Sequence, residues 1–116
     1  MISMNYTDAM LKELPGDERL ILLMALHEAD AKFYNSCVDI IVERNKGQRL
    51  KDMSENDQLR IREMKANFEN AIHTYTILKS LYEVEYGRIE KVKNDIESIA
   101  ERLANHALET YDWISE

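Results

Sequence analysis

The sequence predicts an all-α protein: an antiparallel helical hairpin with a long heptad-bearing C-terminal helix, coiled-coil-like or folded back as a three-helix bundle. Three observations point there. An apolar heptad runs almost unbroken from Ile61 to Trp113, through Ile61, Phe68, Tyr75, Tyr82, Ile89, Ile96 and Leu103 and, between them, Met64, Ala71, Leu78, Val92 and Ile99. Spacings of three and four put these side chains on one helical seam, which needs a partner to cover it. Only 3 Gly and 1 Pro interrupt the 116 residues, so turns are few. Finally, 45% hydrophobic and 32% charged residues suit a single folded domain whose helices keep large solvated faces.

A short first helix is expected from Asp8 to Leu14, with Thr7 as its N-cap. Pro15-Gly16 ends it, because proline cannot donate to a continuing helix. Asp17 and Glu18 then favour a new helix start through the partial positive charge there. That second helix should span 17–46, with Gly47 as its stop and Arg44 and Lys46 in its last turn. Residues 48–53 form the linker. Ser54 and Asp57 have the spacing of a capping box, which starts the third helix at 55. From there only Gly87 interrupts the pattern up to 114. The heptad phase passes through Gly87 unchanged, and a lone glycine costs a helix only about 1 kcal/mol. A continuous helix is therefore expected, about 90 Å long by its rise per residue, with a fold-back at Gly87 as the alternative.

The second helix is apolar over well over half its circumference, through Leu20, Leu22, Leu23, Leu26, Phe33, Tyr34, Cys37, Val38, Ile40 and Ile41. Such a helix must be covered from more than one side. Asp30 points into this arc, flanked by His27 and Tyr34 at helical spacing. Closing the hairpin over residues 47–54 places Asp30 near Ala71, His27 near Thr74 and Tyr75 one turn away. A buried polar layer of His27, Asp30, Tyr34 and Tyr75 is expected, since a buried carboxylate needs partners. Glu85 and His106 intrude on the long seam. Polar residues there commonly select register and oligomer state, and in an antiparallel homodimer of long helices Glu85 would face His106 of the other copy.

Composition narrows the function classes. The net charge of −7 disfavours general binding to nucleic acid or anionic membrane. Charge is uneven, with basic residues gathered over 44–65 and acidic ones over 94–116. One cysteine, Cys37, excludes an intrachain disulfide and fits a reducing compartment. Without a signal-peptide pattern or a long apolar run, a soluble cytoplasmic protein is expected. No Glu-x-x-His step, phosphate loop or nucleophile elbow is present, so no metal, cofactor or catalytic residue is assigned. The expectation is a non-catalytic protein–protein interaction module, an adaptor or inhibitor acting as a homo-oligomer with a protein partner. Two alternatives remain. One is a small-molecule binder or enzyme using His27, Asp30 and Tyr34; the other is an acidic nucleic-acid mimic that blocks a nucleic-acid-binding protein.

Overall fold

In a computed structural model of the chain, residues 13–110 are described, and they are helical with no strand among them. The expected helix at 8–14 falls almost wholly outside them, as does Trp113. Helix α1 spans Gly16–Arg44, α2 spans Glu55–Tyr86 and α3 spans Lys93–Thr110. The three form a bundle 48 × 24 × 21 Å in extent.

Helix α1 starts behind Pro15 with Asp17 and Glu18 in its first turn, as expected. It stops at Arg44, two residues before the expected end. Lys46 and Gly47 both adopt positive φ, 52° and 78°, and unwind the chain there. The Asn45 side chain closes this end by donating to the carbonyl of Ile41 at 2.8 Å and to Asp57 Oδ2 at 3.1 Å. One amide thereby ties the last turn of α1 to the first turn of α2. The capping box is present: the Asp57 amide donates to Ser54 Oγ at 3.2 Å, and α2 begins at Glu55.

The continuous helix is not formed. Helix α2 ends at Tyr86, and Gly87 turns the chain with φ 99° and ψ −162°. Arg88 is extended, Ile89–Lys91 makes a short 3-10 turn, and α3 begins at Lys93. The unchanged heptad phase is compatible with reversal because α2 and α3 both pack on α1, so each needs the same kind of seam. Ile89 is buried within the turn itself. The intramolecular fold-back consumes the seam expected to join two chains.

Helix α1 lies at the centre, packed along α2 on one side and α3 on another, while α2 and α3 scarcely approach each other. This meets the requirement of its broad apolar arc. Ala29, Phe33 and Cys37 pack with Ala100 and Ala104. Met24 and Ala25 pack with Tyr82, Ile89 and Ile96. Ile41 packs with Met53 and Ile61 at the hairpin end. The alanines at 25, 29, 100 and 104 permit close approach of α1 and α3, because interaxial distance follows side-chain size.

Candidate functional site

The hairpin register matches the sequence-based expectation. His27, Asp30 and Tyr34 of α1 meet Asn67, Asn70, Ala71 and Thr74 of α2 around a groove of about 170 Å³. Asp30 and Ala71 thus share one groove, as do His27 and Thr74. Tyr34 is held beside Phe33 by an edge-to-face contact, with ring centroids 5.5 Å apart.

Two parts of the expected polar layer are corrected. It is not closed: the groove opens to solvent, and no polar or charged residue is fully buried among the described residues. Asp30 itself is only partly buried. Nor does Tyr75 join the groove. It is about 100° around α2 from Thr74 and packs instead against the apolar cluster of Met24, Ala25, Tyr82 and Ile96. Its hydroxyl pKa is raised by burial first, then by the negative charges of Glu28, Glu97 and Glu83.

Those contacts mark a second polar spot that the sequence did not reveal. Glu28 reads as part of the narrow solvated face of α1, yet its Oε2 is enclosed with no hydrogen-bond partner. Burial raises the carboxyl pKa above its ordinary 4.5, Lys32 opposes this, Glu97 adds to it, and Lys93 opposes it. Sequence inspection of one helix misses this, because the enclosing groups come from α3 after the reversal at Gly87.

A carboxyl whose folded pKa is raised holds its proton more tightly in the folded state. The stability this contributes is complete below pH 4.5 and is lost as pH rises through the raised folded value. Glu28→Gln removes the charge penalty while keeping the shape. Its melting temperature should therefore exceed the parent's at pH 7, with the difference vanishing below pH 4.5. Thermal melts at both pH values check this; a variant less stable at pH 7 would show Glu28 to be stabilising as a carboxylate.

Glu85 and His106 are both exposed, near the end of α2 and on α3. The pairing of Glu85 with His106 across two continuous helices has no continuous helix to rest on. Cys37 is fully buried in the α1–α3 contact, and burial pushes its thiol up to about 11, far from a reactive thiolate. Among the described residues no group of three or more His, Cys, Asp or Glu is gathered as a metal site, and no helix is long and apolar enough to cross a membrane.

A different surface stands out on the outer side of α2. Ile77, Leu81 and Val84 are 48%, 52% and 85% exposed. With His73, Thr76 and Ser80 they line a shallow trough of about 300 Å³. The Thr76 hydroxyl donates to the Ile72 carbonyl at 2.9 Å, and the Ser80 hydroxyl to the Thr76 carbonyl at 3.1 Å. Both hydroxyls are therefore turned onto the helix's own backbone, and the trough presents mainly carbon. No Asp, Glu, Lys or Arg lines it. The row's own spacing of four and three is legible in the sequence at 77, 81 and 84, on a different face of α2 from the heptad. No protein family, curated protein or solved structure matches the chain.

Proposed function

We propose that the protein is a non-catalytic interaction module that presents the outer face of α2 to a helix of its partner. The observation that carries this reading is the row Ile77, Leu81 and Val84, with Val84 85% exposed on an otherwise regular helix. Apolar anchors at i, i+4 and i+7 are how one helix face engages another. Clustered exposed apolar side chains of this kind mark interaction surfaces more often than chance exposure does. The groove beside His27 supports a small-molecule site less well. At about 170 Å³ it lies below the roughly 300–1,000 Å³ of typical ligand pockets, and it is open.

The test is selection of helical peptides from a displayed library against the purified chain. Enriched peptides should carry apolar residues at three- and four-residue spacing and should lose binding to the Leu81→Asp/Val84→Asp variant. Because both positions face solvent, the variant should keep the parent's helicity and melting temperature. Peptides that bind parent and variant alike, or no enrichment at all, would remove the reading.

A further inference from the structure

We infer that the cavity where Phe68 of α2 meets α1 is a binding site for a free α-amino acid with an apolar side chain, held at the mouth by Lys65 and Glu69. This goes beyond the reading of α2 given above and concerns a different face of that helix.

Phe68 stands on the inner heptad seam of α2 between Ile61 and Tyr75, both of which pack into the core. Phe68 itself is only partly buried and, among the described residues, belongs to none of the three core clusters. Opposite it α1 presents the short side chains of Asn35 and Val38, and a cavity of about 320 Å³ remains between the two helices. Helices α2 and α3 scarcely approach each other, and no residue of α3 lines the space. Its volume reaches the roughly 300–1,000 Å³ of typical ligand sites, which the groove beside His27 does not. Apolar surface left open on the covered side of a helix is surface that a ligand can remove from water.

The mouth selects the ligand. Val38 and Phe68 give an apolar floor, with Asn35, Lys65 and Glu69 exposed around it. Lys65 and Glu69 are four residues apart, so their opposite charges stand one turn from each other on the same side of α2. A ligand carrying only a carboxylate would pair with Lys65 but meet the like charge of Glu69. One carrying only an amine would pair with Glu69 and meet Lys65. Like charges at one mouth reject such partners. A zwitterion answers both, its carboxylate on Lys65 and its ammonium on Glu69. The ion pair that these two side chains could form with each other at the surface is weak and yields readily. Asn35, from across the cavity, offers an amide that donates to the carboxylate or accepts from the ammonium. In an α-amino acid the two charged groups share one carbon, which leaves the side chain free to enter the cavity. An aliphatic or aromatic side chain then packs against Val38 and Phe68. Because the charged groups are exposed, affinity in the millimolar range is expected.

The experiment is an NMR titration of the isotope-labelled full chain with leucine, phenylalanine and glycine. Leucine and phenylalanine should shift the Val38 methyl and Phe68 ring signals saturably, and glycine should not. 3-Phenylpropionate and 2-phenylethylamine, which each lack one charge of phenylalanine, should bind about tenfold more weakly or worse. Lys65→Met and Glu69→Gln should each weaken phenylalanine by a similar factor. Both positions are exposed, so each variant should keep the parent's helicity and melting temperature. Absence of saturable shifts at Val38 and Phe68 overturns the proposal. So does a singly charged analogue that binds as tightly as phenylalanine, or an unchanged affinity in either variant.

Discussion

Phe33→Ala is expected to remove about 3–5 kcal/mol of folding stability, the upper range for deleting a buried aromatic side chain. Phe33 is among the largest fully buried side chains in the protein. Its buried neighbours are Ala29, Cys37, Ala100 and Ala104, with Tyr34, Met64, Leu103, Ala107 and Leu108 at the edge. The cost of such a deletion depends on how far the surroundings collapse into the space left behind. Met64, Leu103 and Leu108 have long side chains but sit at the edge, while the buried alanines and the cysteine have none to swing inward. They also already set a close approach of α1 to α3, so the helices cannot simply slide together. The cavity should persist, and the edge-to-face contact with Tyr34 is lost as well. Domains of this size have only about 5–15 kcal/mol in total, so the variant should lie near the limit of folding. Urea titration gives the answer through a lower midpoint at unchanged slope. Phe33→Leu should lose much less, since most of the volume is retained. A Phe33→Ala midpoint close to that of the parent would mean that the α1–α3 contact repacks freely.

Which features were legible in the sequence follows from the range of the interactions involved. The start of α1 behind Pro15, the capping of α2 by Ser54 and the hairpin register depend on neighbouring residues or on a short loop. The register is the sharper case. Once residues 45–54 make the turn, rigid helix geometry alone brings Asp30 and His27 to the same groove as Ala71 and Thr74. What a single chain pattern does not contain is the direction from which a third element arrives. The apolar arc around Asp30 predicts its burial, yet the arc is shared between two packing partners and Asp30 stays partly exposed. Glu28 lies on the polar face of α1 with Lys32, and nothing in that helix alone shows that Lys93 and Glu97 of α3 will come beside it. Tyr75 is one residue from Thr74 in sequence, which predicts a place in the polar layer, yet its side chain packs against a different cluster. The apolar row on α2 was visible as residues but not as a surface. Until the inner seam is known to be filled within the chain, nothing distinguishes the covered face from the uncovered one.

Gly87 decides that question, and Gly87→Ala should shift the balance between the bent and the straight chain. At φ 99° and ψ −162° the residue lies in a region open almost only to glycine. Holding an L-alanine there costs about 1–3 kcal/mol. An added Cβ would meet no atom within 4 Å, so the penalty is backbone strain and not collision. The same substitution favours the straight alternative by about 1 kcal/mol, because alanine is a better helix former than glycine. In a straight chain the α3 segment leaves its own α1, and the exposed Ala25, Ala29 and Phe33 must be covered by the α3 of another copy. The expected result is a destabilised monomer together with a domain-swapped dimer, the usual outcome when a hinge is stiffened. Dilution identifies this species: a swapped dimer must unfold in part to separate and so persists, whereas a dimer held by surface docking alone dissociates at once. D-alanine introduced at 87 by ligation is the control. It favours positive φ, so the parent's stability and dilution behaviour should return. An L-alanine variant as stable as the parent, with no persistent dimer, would show that the heptad on either side of Gly87 sets the reversal without help from its backbone.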